Sequence, residues 1–288
     1  MPSVRDLRDR IRSLNNTQQI TKAMKQVAAA KIRRAETAQK EARPYADALA
    51  EMLSDLMDNV TSVDHVFMKP GAAGAPSGVI LMTADKGLAG AFNANIIRQA
   101  ELYRRESPNV SWYTIGNKGR NASRRMGNSQ ASWALSGSQP KLEVARETAA
   151  RVTADFVEGK IGDIVLISSK FISMMSQKPA ITKIVPITAG DARPSQASQV
   201  AKGAVEFAPS PETVLSRLLP KYLEFTLYSA MLETDAAFYA AQLVAMNNAT
   251  DNAKKLIDEL TVEMNNARQA AITKEILEIV GGAEALAR

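Results

Sequence analysis

The chain has 288 residues, 45% of them hydrophobic and 23% charged, with a mean hydropathy of −0.17. That is enough chain for one large or two small domains and a sizeable core. No apolar run approaches the ~18 residues a membrane-spanning helix needs. There is no cysteine and a single histidine, His65, which excludes disulfides, thiol nucleophiles and thiolate metal sites and removes most triads and metal centres. Aromatic residues are scarce at 5% while alanine is plentiful, a composition that favours packed helices over a β-sandwich.

The net charge of +6 hides an asymmetry. Residues 1–43 hold eleven Lys/Arg against four Asp/Glu, whereas residues 221–288 hold six against ten. The two ends are electrostatic complements, and their pairing is the first expectation. The opening Met-Pro-Ser-Val-Arg-Asp-Leu has no apolar signal core and reads as neither a secretory nor a transit leader.

From Ser3 to Arg43 there is no Gly and no Pro. Val4, Leu7, Ile11 and Leu14 follow a 3-4-3 spacing, the stripe of a helix that buries one narrow face. The apolar stripe is expected to resume through Ile20, Met24, Val27 and Ile32, interrupted by Ala28, Ala29, Ala30, Ala35 and Ala38, which let a neighbouring backbone come close. Pro44 marks a kink or joint before a further helical stretch from Tyr45 to Met57.

The grammar then changes. Val79–Thr83 reads as a fully apolar strand, followed by the loop Asp85-Lys86-Gly87-Leu88-Ala89-Gly90 and a helix from Phe92 to Arg105. Val110–Ile115 is a second strand, followed by Gly116-Asn117-Lys118-Gly119 and a basic helix. Lys141–Glu158 is a further helix and Ile164–Ser169 a further buried strand; Ala180–Thr188, bracketed by Pro179 and Pro186, is expected at a sheet edge. Strands alternating with helices imply βαβ units and a mostly parallel sheet. Residues 190–210, rich in Ala, Ser, Gln and Pro, read as a connector.

After Pro209-Ser210-Pro211, with Ser210 placed to cap and Pro211 in the first turn, the pattern is helical nearly to the end. Ile257, Leu260, Met264, Ala267 and Ala271 repeat the 3-4 spacing, and Gly281-Gly282 is the expected stop. Together the elements predict an antiparallel left-handed coiled coil of the two terminal helices plus a central Rossmann-like α/β domain, divided as 1–60, 75–190 and 210–288.

The Asp85–Gly90 loop lies where phosphate loops sit but matches neither G-x-G-x-x-G nor G-x-x-x-x-G-K-[ST], so a tight βα turn or a protein contact is expected. Lys31-Ile32-Arg33-Arg34 lacks the aromatic interleaving of a nucleic-acid patch and reads as a solvated face near an acidic protein partner. Met24, Met231, Met246 and Met264 read as seam residues, and His65 as a surface or interdomain histidine.

The runs from Asn16 to Lys31 and from Ala245 to Ala253, then Asn266–Ile276 and Glu278–Ala283, closely resemble the two ends of the gamma subunit of F-type ATP synthases. Asp85-Lys86-Gly87-Leu88-Ala89-Gly90-Ala91-Phe92-Asn93 is similar to that family's Asp-Arg-Gly-Leu-Cys-Gly-Gly-Phe-Asn. The resemblance covers the whole chain in order. It implies a non-catalytic rotor shaft without cofactor or metal, whose coiled coil threads a ring of alternating alpha and beta subunits. The α/β domain would be a foot on the membrane rotor c-ring, beside the epsilon subunit, at the cytoplasmic face of a bacterial membrane, without membrane insertion or nucleic-acid binding. Family positions matching Met24 and Lys25 lie near an acidic lever loop of a catalytic subunit, with Lys31, Arg34 and Lys86 as added cations. Those matching Arg268, Gln269, Thr273 and Glu275 belong to the upper shaft, and Ile276, Leu277, Ile279 and Val280 to an apolar tip. Departures are Lys86 for Arg, which loses the planar fork, and Ala89 and Ala91 for Cys and Gly. The cysteine-bearing segment of the chloroplast form is missing, so thiol regulation is excluded.

Overall fold

Strands that must be buried on both faces read as unbroken apolar runs, and Val79-Ile80-Leu81-Met82 forms the centre of a five-stranded sheet on that basis. A computed structural model describes residues 3–59, 65–69, 71–187 and 211–286. In chain order the elements are α1 (Val4–Asn59), β1 (Ser77–Met82), α2 (Phe92–Glu106), β2 (Val110–Ile115), α3 (Asn117–Met126), β3 (Ser129–Trp133), α4 (Lys141–Val157), β4 (Asp163–Ser173), β5 (Ser176–Val185) and α5 (Pro211–Leu286). They form two compact units, one of residues 29–242 and one of residues 1–28 with 243–288.

In the larger unit the strand order is β3-β2-β1-β4-β5, with β1 parallel to β2 and β4, β2 parallel to β3, and β5 antiparallel to β4. Val79 lies opposite Trp112 on one side and Val165 on the other. Side chains alternate between the two faces. Val79, Leu81 and Trp112 pack with Phe92, Ile96 and Ala100 of α2. Ile80, Met82, Tyr113 and Ile115 pack on the opposite face with Val144 and Val152 of α4, Leu53 of α1, and Leu215, Leu219, Leu223 and Leu227 of α5.

The smaller unit is a helix pair. Its α1 positions Val4, Leu7, Ile11, Leu14, Gln18, Thr21, Lys25 and Ala28 are all buried or half-buried, a strict 3-4 alternation. On α5 the same holds for Met246, Thr250, Ala253, Ile257, Leu260, Met264 and Ala267. Thr250 Oγ1 donates to Thr21 Oγ1 at 2.8 Å, and Lys25 Nζ donates to Asn247 Oδ1 at 2.6 Å. Moving forward on one helix moves backward on the other, so the pair is antiparallel, and its seven-residue repeat is that of a left-handed coil.

Several expectations are corrected. Ile20 and Val27 do not continue the seam: they are 60% and 54% exposed, because the heptad keeps its phase through the polar Gln18, Thr21 and Lys25. α1 runs through Pro44 as one element, and α5 contains Pro220. Gly281-Gly282 does not end α5, which continues to Leu286. A strand unforeseen in the sequence, β3, joins the sheet at its edge; only Ala131 and Trp133 of its Ser-Gln-Ala-Ser-Trp turn toward the core, an alternation too short to stand out. β4 and β5 extend as a hairpin beyond the expected bounds, to Ser173 and from Ser176. The Ser210 cap and the 190–210 connector lie outside the described residues.

Candidate functional site

The Asp85–Gly90 loop leaves the C-terminal end of β1 and is held by its own polar groups. Asp85 accepts from the backbone N–H of Asn117 at 2.9 Å through Oδ1 and from that of Ser136 at 2.6 Å through Oδ2. Asn93 Oδ1 accepts from the Ala84 N–H at 3.0 Å, while its Nδ2 donates to the Lys86 carbonyl at 3.1 Å. Thr83 Oγ1 accepts from the Gly119 N–H at 2.7 Å, and Gly116 takes the left-handed φ of +99° directly against the Thr83 carbonyl. A helix N-terminus attracts anions, and here the start of α3 is already met by the Asp85 carboxylate, which would repel a phosphate. The loop is a closed βα turn that presents Lys86 and Leu88 to solvent, Leu88 with a left-handed φ of 61°.

Of the other expected contact residues, Met24 and Lys25 are half-buried in the helix pair, and Lys25 is engaged by Asn247. Lys31 belongs to the larger unit, where its ammonium lies 5.2 Å from the centre of the Tyr239 ring, an intramolecular contact. Arg34 is exposed. Arg268, Gln269, Thr273 and Glu275 are all exposed on α5, beyond the last half-buried seam residue, Ala267. Thr273 Oγ1 donates to the Gln269 carbonyl at 3.0 Å, so its hydroxyl is satisfied within the helix. Ile276, Leu277, Ile279 and Val280 are exposed as well, Ile279 by 72%. The structure thus gathers the C-terminal set on one uncovered stretch of helix.

Of the four methionines expected in the seam, Met246 and Met264 are there; Met24 is half-buried beside it, and Met231 is buried instead in the core of the larger unit. His65 Nδ1 accepts from the Phe67 N–H at 3.1 Å, and burial holds its pKa below the usual imidazole value. Among the described residues no group of three His, Cys, Asp or Glu side chains could hold a metal ion. No helix among them is long and apolar enough to cross a membrane.

One polar cluster was not anticipated. Asp235 of α5 is buried and accepts from Lys141 Nζ of α4 at 2.7 Å. Burial pushes its carboxyl above the ordinary range against the pull of Lys141 and Lys31. Burial also raises Glu233, opposed by the Phe171 N–H that its Oε1 accepts at 3.1 Å. The signal was present in the sequence: neither acid has a Lys or Arg three or four residues away on an otherwise apolar helix, so each needs a distant partner.

A family model described as ATP synthase matches residues 3–286. The ATP synthase gamma chain of Heliobacterium modesticaldum is 42% identical over 290 residues, covering 99% of this chain and all of the relative. That of Phenylobacterium zucineum is 40% identical over 293 residues, again covering 99% of this chain and all of the relative. Among solved structures, a chain from the Euglena gracilis mitochondrial ATP synthase, an assembly described as OSCP/F1/c-ring, superposes with a TM-score of 0.67 at 18% identity over 98% of this chain and 94% of its own length. A chain from the Tetrahymena thermophila mitochondrial ATP synthase central stalk and c-ring gives 0.58 at 21% identity over 80% and 99%. These two share the fold. The near-complete match to the family model and the full-length likeness to bacterial relatives place the chain in the ATP synthase gamma chain family.

Proposed function

We propose that the chain is the central shaft of a rotary ATP synthase, turning with the rotor and not itself performing chemistry. The observation that carries this is the end of α5. The seam stops at Ala267, and the helix continues uncovered with Ile272, Ile276, Leu277, Ile279 and Val280 turned to solvent. A contiguous apolar surface of this kind marks a contact with another protein. In this reading the tip sits in an apolar bearing formed by a ring of alternating alpha and beta subunits. Arg268, Gln269, Thr273 and Glu275 meet that ring just below, and Met24, Lys25, Arg34 and Lys86 face its acidic lever loops.

The larger unit serves as the foot on the membrane rotor c-ring, beside the epsilon subunit, at the cytoplasmic face of a bacterial membrane. Ion flow through the c-ring would turn the shaft and drive synthesis; ATP hydrolysis would turn it in reverse. Contacts between exposed charges are individually worth about 0–1 kcal/mol, weak enough to form and break as the shaft turns. The slim seam suits the same task, since Thr21, Ala28, Thr250 and Ala253 hold the two helices together with small side chains. Reconstitution with the alpha and beta subunits tests this. The expected result is fast, cooperative ATP hydrolysis only when the chain is present; equal rates without it would refute the reading.

A further inference from the structure

We propose that Glu233, Thr234 and Asp235 are positioning residues that key α5 to the α/β sheet, so that rotation delivered to the sheet passes into the helix without slip. The proposal rests on the shaft reading and concerns the larger unit alone. There the stretch of α5 carrying Leu215, Leu219, Leu223 and Leu227 is held by apolar contacts and by one ion pair at its rim, Glu224 with Arg146 of α4 at 3.3 Å, where Arg146 is 60% exposed. Apolar packing is non-directional. It opposes lifting the helix away from the sheet far more than turning the helix about its own axis.

Three consecutive residues make buried or half-buried directional contacts to three different elements. Successive helical residues point about 100° apart, so three in a row sweep about 200° of the helix surface. Glu233 Oε1 accepts from the backbone N–H of Phe171 on β4 at 3.1 Å. Thr234 Oγ1, fully buried, donates to Met82 Sδ at the end of β1 at 3.3 Å. Asp235 Oδ2 accepts from Lys141 Nζ at the start of α4 at 2.7 Å. Turning α5 in either direction stretches at least one of these. One turn further, Phe238 meets Phe92 of α2 edge-on at 5.7 Å and Tyr239 lies under Lys31 of α1.

Stability alone does not account for the cluster. Asp235 Oδ1 is buried without a hydrogen-bond partner among the described residues, and a second carboxylate, Asp85, lies close enough to oppose its ionisation. A buried ion pair replaced as a whole by apolar residues of similar size is often as stable or more so, and Lys141, 27% exposed, can turn to water when Asp235 is removed. What an apolar residue lacks is a fixed bond direction, and that is the property a torque joint requires.

The test uses the complete reconstituted enzyme, fixed through its catalytic ring, with a bead on Gln130→Cys of the exposed edge strand β3. The chain has no other cysteine, so the attachment is unique. The angular variance of the bead during pauses in ATP-driven rotation reports torsional stiffness. Glu233→Gln with Asp235→Asn keeps shape but weakens two of the three contacts, and should raise the variance about two-fold while leaving the ATP hydrolysis rate unchanged. Asp235→Leu, which needs no buried charge, should do the same and keeps the test open if the amide pair unfolds. Leu219→Ala loosens the same interface without touching a directional contact; it should lower the unfolding midpoint and leave the variance unchanged. Unchanged variance in the Gln/Asn and Leu variants overturns the key, as does an equal rise in Leu219→Ala. Absence of rotation in the unsubstituted enzyme overturns the shaft reading, and the key with it.

Discussion

Asp155, on α4, is gripped from three sides: Tyr113 Oη donates to Oδ2 at 2.7 Å, Arg151 Nε to the same oxygen at 2.8 Å, and Lys160 Nζ approaches Oδ1 at 3.5 Å. Its side chain is 5% exposed, whereas those of Arg151 and Lys160 are 48% and 61% exposed. Removing the carboxylate therefore lets the two cations return to water, but strands the hydroxyl of Tyr113, itself buried in β2. Asp155→Ala should cost about 3–4 kcal/mol, combining the lost charge-assisted bonds, an unsatisfied hydroxyl and a small cavity. Tyr113→Phe leaves the carboxylate its two cations and should cost about 1.5 kcal/mol. The double variant no longer contains the stranded hydroxyl, so it should fall short of the sum by about 1–2 kcal/mol. Both tryptophans, Trp112 and Trp133, lie in this sheet, so urea unfolding followed by fluorescence reads the unit directly. Burial alone would raise the Asp155 carboxyl, yet Tyr113, Arg151 and Lys160 together hold it below the usual carboxylate range. Its charge-dependent contribution is then present above the unfolded pKa and lost as pH falls through the folded one, so the gap between Asp155→Ala and the parent should narrow in acid to the share owed to the cavity and the stranded hydroxyl. Strictly additive single substitutions would refute the assignment of Asp155 as the shared partner.

Gly116→Ala would place a Cβ 2.0 Å from the Thr83 carbonyl oxygen at a φ of +99°, and should destabilise the larger unit by about 3 kcal/mol in the same urea assay. Lys25→Met removes the 2.6 Å bond to Asn247 and should speed amide exchange in the helix pair around residues 18–28 about ten-fold, the equivalent of about 1.4 kcal/mol; unchanged exchange would mean that Lys25 serves only a partner. His65, its pKa lowered by burial, contributes stability present above the unfolded value of about 6.5 and lost as pH falls through the folded one. His65→Gln should flatten the decline of the urea midpoint between about pH 7 and about pH 5.

Much of the fold was legible because its strongest signals are local. Val110–Ile115 is a strand with the bounds its apolar run implies, and the helix begins at Phe92, as the pattern has it. What failed to read out depends on partners remote in sequence. β3 is a strand because β2 offers it an edge; its own alternation, Ala131 and Trp133, is too short to be read alone. Ile20 and Val27 look like seam residues until Thr21 and Lys25 find Thr250 and Asn247. A Gly-Gly pair permits a helix to stop but does not compel it, and α5 passes through both glycines. The exposed residues from Arg268 to Val280 were legible as a set, through the terminal motif. At Glu233 and Asp235 the sequence shows two acids without a local cation on an apolar helix, but not their partners, Phe171 and Lys141, which lie 62 and 94 positions away.

The proposed shaft turns inside a ring of other subunits. The most direct measurement is to fix the alpha–beta ring to a surface, attach a bead through Gln130→Cys and supply ATP. The bead should then rotate steadily in one direction, stop when ATP is withdrawn, and fail to rotate when the tip residues Ile276, Leu277, Ile279 and Val280 are all replaced by Asp. A bead that only fluctuates about a fixed angle, while the ring hydrolyses ATP at full rate, would contradict the shaft reading.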